Sequence, residues 1–211
     1  MDTTTDYPLT IQIAGLGGQG VVLAGDILAE AALFSDLNVK KSEIHGLSRR
    51  FGSVSCQVRI GRELHSPLRG HGGVDFLLAL EGYEGRKHLP YLTPQGKGLF
   101  NRMWRKPGVV PLPETDEPGG LEDYRVTWFE GTELMHQAES TRSLNYFMLG
   151  VLCTRLSIPE KAWDQAITGI TKKGLETNLE MFRTGRRVGL AASPRYRYRV
   201  VATEAAEQVL S

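Results

Sequence analysis

The stretch IAGLGGQGVVLAG, residues 13–25, constrains this chain more than any other segment. It grows out of the β-branched, apolar run LTIQIAG, which reads as a first strand ending at Gly15. Beyond it, Val22, Leu23, Ile27, Leu28, Ala31 and Ala32 recur at helical spacing between Gln19 and Leu33. Glycines packed between a strand and a helix let the backbone turn sharply and approach a neighbour closely. Gly15, Gly17 and Gly20 fit G-x-G-x-x-G, the pattern in which a helix N-terminus offers free N–H groups to an anion. From these residues three uses stay open: a dinucleotide such as NAD or FAD, tight strand–helix packing alone, or another anion. A dinucleotide site wants an acid about 20 residues on, at the end of the second strand, to hold the ribose. The nearest candidate, Glu43, comes late. A P-loop is excluded, since no G-K-[ST] follows.

The rest of the chain alternates strands with helices. LNVKKSEI (37–44) reads as a second strand and leads into the irregular loop HGLSRRFG. SVSCQVRIG (53–61) alternates cleanly, with Val54, Cys56, Val58 and Ile60 on one face. VDFLLAL (74–80) is apolar without alternation, as a strand covered on both faces should be. Residues 81–92 read as a helix, PQGK as a turn into GLFN, and the proline- and glycine-dense region 102–123 as a surface excursion. YRVTWFEG restores a strand, and three helical segments follow, beginning with RSLNYFMLGVLCTRL. That first segment is apolar around much of its circumference, which suits a central buried helix or one shared with another subunit. The fold class is therefore α/β: a Rossmann-like, mostly parallel sheet flanked by helices, with a helical C-terminal part. Residues 1–190 form one domain and residues 191–211 a C-terminal arm.

Composition narrows the function. With 25 Lys and Arg against 24 Asp and Glu, the net charge of +1 supplies no global field for nucleic acid or a membrane surface. No apolar stretch reaches the roughly 18 residues of a transmembrane helix, and the polar N-terminus does not read as a signal peptide. Cys56 and Cys153 are too few for a disulfide framework, zinc or an iron–sulfur cluster, and read as reduced, buried residues of a cytoplasmic protein. His65, His71, His88 and His136 are scattered without carboxylates at ligand spacing, so no metal site is expected. Trp104, Trp128 and Trp163 read as core or interface residues. SPRYRYRVV near the C-terminus interleaves Arg with Tyr, but reads as an amphipathic strand or arm with Tyr196, Tyr198 and Val200 on one face, packing on a partner.

The second informative segment is SEIHGLSRRFGSVSCQVRIG, residues 42–61. It gathers Glu43, His45, Gly46, Ser48, Arg49, Arg50, Gly52, Ser53 and Arg59 into a short loop–strand unit. Loops at the carboxyl ends of strands in an open α/β sheet lie beside one another, so this loop is placed to face the glycine turn. Adjacent arginines and hydroxyls near a helix N-terminus suit a carboxylate or phosphate; the plainer reading is a solvated basic loop paired with local carboxylates. A hydrolase built from Ser48 or Ser53 with His45 and Glu43 lacks the G-x-S-x-G elbow.

GLGGQGVVLAGDILAEAAL, then SEIHGLSRRFGSV, then VRIG closely resemble the gamma-type subunit of 2-oxoacid:ferredoxin oxidoreductases, and within it the small (beta) subunit of indolepyruvate ferredoxin oxidoreductase. The likeness continues through DFLLALEGYEGRKHLPYLTPQG and RSLNYFMLGVLCTRLSIPEKAWDQAI, covering about four-fifths of the chain. The resemblance implies an accessory subunit without catalytic residues or cofactors of its own. Its partner would be a larger subunit holding thiamine diphosphate, Mg and iron–sulfur clusters, with coenzyme A as co-substrate and ferredoxin or another acceptor taking the electrons. The residues agree: Gly25-Asp26 is followed by Ile27 rather than the third residue of a thiamine-type G-D-G, and no C-x-x-C occurs. It also implies a partner- and anion-facing set: Gly15, Gly17, Gly18, Gln19 and Gly20 of the turn, with Glu43, His45, Gly46, Ser48, Arg49, Arg50, Gly52 and Ser53 of the loop. A homodimer of the isolated chain is compatible with this. Against the family pattern E-x-H-G-M-S-Q-R-G-G-S-V, this chain carries Leu47 for Met, Arg49 for Gln and Phe51 for Gly, which leaves the 2-oxoacid and the acceptor open. The alternative function is a free-standing nucleotide-binding oxidoreductase using the Gly15–Gly20 turn.

Overall fold

The structure is a computed structural model that describes residues 8–45, 52–66, 68–104, 121, 123–140, 142–192 and 200–201. Its sheet is built from β1 (Leu9–Leu16), β2 (Asn38–His45), β3 (Ser53–Gly61), β4 (Val74–Ala79), β5 (Leu92–Asn101), β6 (Arg125–Phe129) and β7 (Val200–Val201). The strands lie in the order β2-β3-β1-β4-β5-β6-β7. β3 pairs antiparallel with both β1 and β2, and every other neighbouring pair is parallel. Among the described strands only β3 runs against the rest, so the mostly parallel α/β sheet expected from the sequence is present.

β1 is central and all eight of its residues are buried. Ile11 and Ile13 join Val58 and Cys56 of β3 under α1 (Val21–Leu33), whose Ala24, Ile27, Leu28, Ala31 and Ala32 complete the contact. Small residues bring this helix down onto the sheet: a Cβ on Gly25 would lie 2.5 Å from the Cys56 sulfur. On the same face stand α4 (Leu144–Cys153), α5 (Glu160–Ile170) and α6 (Leu175–Ala191). Every residue of α4 is buried, so its apolar circumference is covered by the chain itself. The opposite face is closed over β4–β6 by α2 (Gly82–His88) and an aromatic group in which Phe100, Trp104 and Trp128 meet at ring distances near 5 Å.

Three local expectations shift. The helix expected over 81–92 ends at His88, where Pro90 opens a single 3-10 turn at Leu89–Tyr91. The turn expected at PQGK is part of β5, whose register against β4 slips between Val74 and Phe76; the bulge absorbs Pro94, which has no N–H to give a ladder. Gly96 belongs there because a Cβ would lie 2.9 Å from the Val74 carbonyl. A short helix, α3 (Gly131–Gln137), follows β6 where the sequence offers too few turns for a periodic signal. Val200 and Val201 pair in parallel with Trp128 and Phe129 of the chain's own β6. Tyr196 and Tyr198 lie outside the described residues.

Candidate functional site at the carboxyl edge of the sheet

The glycine turn joins β1 to α1 at the carboxyl edge, beside the point where the chain's crossovers diverge to either side of β1. Open α/β sheets present their binding crevices at such a point. Gly18 and Gly20 hold φ of 96° and 79°, a region that L side chains rarely adopt. At Gly20 a Cβ would also lie 2.7 Å from Asn145 Nδ2 of α4. Gln19 fills the inside of the turn: its Oε1 accepts from the Leu16 amide at 2.6 Å, and its Nε2 donates to the Leu80 carbonyl at 3.4 Å. Among the described residues no side chain caps the start of α1.

The second sequence segment arrives at the same edge. β2 ends at His45 and β3 begins at Ser53, whose partner across the ladder is Leu16. The Gly17 amide donates to the Gly52 carbonyl at 2.8 Å, tying the turn directly to the end of that connection. Ser53 is anchored in turn: its hydroxyl donates to Glu84 Oε2 at 2.6 Å, and Lys87 reaches Glu84 Oε1 at 2.6 Å. Glu84 is fully buried on α2, and its own amide is capped by Glu81 at 2.8 Å. Ser53 is therefore a structural donor, bonded to a buried carboxylate that Lys87 also pairs. Gly46, Ser48, Arg49 and Arg50 lie outside the described residues, as does the side chain of His45.

Glu43 stands apart from the turn. It lies on the α1 face of β2, where Lys41 bridges it at 2.7 Å and also bonds Asp26 of α1. Burial works against the Lys41 ammonium, but hydrogen bonds to Asp26 and Glu43 outweigh it and hold its pKa above the usual lysine value. Moreover, β3 separates β2 from β1. The acid that would hold a ribose beside the turn is thus two strands away and already paired.

A cavity of about 310 Å³ opens against the turn, with Leu16–Gln19 forming one wall. Met103, Met135 and Leu144 supply apolar surface, and Thr132, His136 and Arg142 supply polar groups. Sequence reasoning missed this second wall and weighed His136 only as a metal ligand. No local motif marks it, because Met103 follows β5, Thr132 follows β6 and Arg142 precedes α4; only the strand order brings them together. A basic and hydrogen-bonding rim over an apolar wall accepts an anion with an apolar body. The cysteines take no part: burial pushes both thiols up to about 12. Among the described residues no group of three or more His, Cys, Asp or Glu is placed to hold a metal ion. None of the described helices is long and apolar enough to cross a membrane.

Comparison with known proteins settles the lineage. Residues 10–188 match the family described as pyruvate ferredoxin/flavodoxin oxidoreductase. The chain belongs to the pyruvate ferredoxin/flavodoxin oxidoreductase family. Within it, the chain is 32% identical over 188 residues to an indolepyruvate oxidoreductase subunit IorB of Methanothermobacter thermautotrophicus, covering 83% of this chain and 94% of that one. The gamma subunit of a keto/oxoacid ferredoxin oxidoreductase from Geobacter sulfurreducens superposes with a TM-score of 0.68 at 26% identity, over 87% of this chain and 99% of its own. A 2-oxoglutarate:ferredoxin oxidoreductase from Magnetococcus marinus, solved with 2-oxoglutarate, coenzyme A and succinyl-CoA bound, shares the fold at a TM-score of 0.71 and 22% identity. That match covers 93% of this chain but 33% of the longer one. The two subunits thus align over nearly all of their own length, and the longer chain contains the same fold as one part.

Proposed function

We propose that this chain is the small, gamma-type subunit of a 2-oxoacid:ferredoxin oxidoreductase acting on indolepyruvate or a related aryl 2-oxoacid. In that reaction the 2-oxoacid loses its carboxyl carbon as carbon dioxide, electrons pass to ferredoxin or another acceptor, and the acyl group joins the coenzyme A thiol. Thiamine diphosphate, Mg and the iron–sulfur clusters belong to a larger partner subunit, with which the chain assembles in the cytoplasm. The small subunit completes the site from outside: the glycine turn at the head of α1, with Ser48, Arg49 and Arg50 of the β2–β3 connection, meets the anionic groups of coenzyme A. Arg142 and His136 approach from the far wall of the cavity.

The observation that carries this reading is the bond from Gly17 to Gly52, which brings the two motifs to one edge. In this reading the anion-binding features of both act on one ligand. A free-standing dinucleotide enzyme is disfavoured by the same geometry, since Glu43 pairs with Lys41 and β3 intervenes. Arg50→Ala in the assembled complex is the test. Removing a charge-assisted contact worth about 1.5–3 kcal/mol should raise the KM for coenzyme A roughly tenfold or more. An unchanged KM would take the connection out of the site.

A further inference from the structure

The two walls of the cavity are linked through a buried side chain, Asn101, and the Leu80 carbonyl. Asn101, at the end of β5, has no exposed surface. Its Nδ2 donates to the Leu80 carbonyl at 3.1 Å and to Thr132 Oγ1 at 2.8 Å, while its Oδ1 accepts from the Thr132 amide at 3.0 Å. The same Leu80 carbonyl takes Gln19 Nε2 from the turn. One carbonyl at the end of β4 therefore holds the inner residue of the glycine turn on one side and, through Asn101, the first turn of α3 on the other. A Cβ on Gly131 would fall 2.9 Å from Asn101 Oδ1, so α3 is seated as closely as its backbone allows.

We propose that Asn101 is a positioning residue that sets the gap between the glycine turn and α3, and with it the affinity of the cavity for its ligand. The amide is suited to this in a way a carboxylate is not. Two donors and one acceptor are all in use, and an aspartate would put an oxygen against the Leu80 carbonyl. Small displacements matter because a binding site is held within about 0.5 Å of its working geometry by the groups behind it. The functional half of the proposal rests on the reading that coenzyme A enters this cavity; the geometric half does not.

The test uses Asn101→Asp, with Phe182→Leu as a control for lost stability, since Phe182 is buried in the helical layer beside Trp163. Amide hydrogen exchange of the full chain reads the geometry. The expected result is faster exchange at residues 16–19 and 131–137 together in Asn101→Asp, and at neither in Phe182→Leu. Faster exchange confined to 131–137, or equal in both variants, would overturn the proposal. In the assembled complex the expected result is a KM for coenzyme A raised about tenfold with kcat within about twofold. A paired exchange response with an unchanged KM would leave Asn101 as a brace and refute its effect on affinity. Should Asn101→Asp not fold, Thr132→Val and Thr132→Ser break and keep the hydroxyl end of the same link. Because Thr132 itself lines the cavity, exchange is the readout here: faster exchange at residues 16–19 in Val and a near-native rate in Ser supports the proposal, and equal rates contradict it. A wild-type chain that finds no partner and no coenzyme A-dependent turnover would fail the functional reading instead, and the exchange measurement would still decide the geometry.

Discussion

The amide of Gly17 and the carbonyl of Gly52, 35 residues apart in the chain, meet at 2.8 Å across the β1–β3 ladder. Neither residue has a side chain to place, and the contact is made by backbone alone. It turns two motifs into one edge, and the conformations that hold that edge are open to measurement.

The first concerns Gly18 and Gly20. Both have positive φ, but space is free around Gly18, whereas Asn145 fills the position beside Gly20. Gly18→Ala should cost about 1–2 kcal/mol, the backbone penalty alone. Gly20→Ala should cost more, because Asn145 must also move. Urea denaturation of the two variants checks the order, and equal losses would mean that Asn145 does not hold the turn.

The second concerns the helix pair that carries Asn145. Where α4 crosses α6, a Cβ on Gly150 would lie 2.0 Å from the Phe182 carbonyl, and one on Gly185 would lie 1.9 Å from the Phe147 carbonyl. Alanine normally stabilises a helix by about 1 kcal/mol over glycine. Here the obstacle is backbone, so the helices must separate, and roughly 1–3 kcal/mol or more of overpacking should outweigh the gain. Gly150→Ala and Gly185→Ala should each lower the melting temperature. A rise in either would contradict the close crossing.

Much of this arrangement can be read in the sequence, and the limits are physical. The β1 strand, the turn and α1 are contiguous, so local pattern suffices for them. The alternation in β3 likewise marks the face that packs on α1. That β3 inserts between β2 and β1 is a non-local pairing choice, and no residue in the strands announces it. The wall made by Thr132, His136 and Arg142 depends on that same strand order. Pro94 and Gly96 read as a turn because their local preference is a turn; only the bulge against Val74 keeps them in a strand.

The cysteines give a third prediction. Burial dominates at both sites and raises each thiol to about 12, with Lys41 opposing weakly at Cys56 and Arg186 at Cys153. Both thiols should stay protonated and unreactive toward a disulfide reagent in the native chain at pH 8, and react at once in denaturant. Rapid native labelling at Cys56 would mean that the α1–β3 packing opens readily.

Asp75 gives a pH dependence. Burial raises its pKa, only partly opposed by the Thr10 amide at 2.8 Å and by Arg59 and Arg69. A carboxyl whose folded pKa exceeds its unfolded value disfavours the fold once it is charged in both states. The handicap is present above the folded pKa and is lost as pH falls through the folded and then the unfolded value. Asp75→Asn should therefore stabilise the chain at neutral pH, with the gain vanishing below the ordinary carboxylate range. A pH-independent difference in denaturation midpoint would contradict this origin.

The central claim is that the chain works as one part of a larger 2-oxoacid oxidoreductase, and affinity purification of the tagged chain from its own cells tests it most directly. The account predicts co-purification of a larger subunit with the broad visible absorbance of iron–sulfur clusters, and coenzyme A-dependent oxidation of an aryl 2-oxoacid by that complex. A chain that emerges alone, colourless and stabilised by a dinucleotide would contradict it.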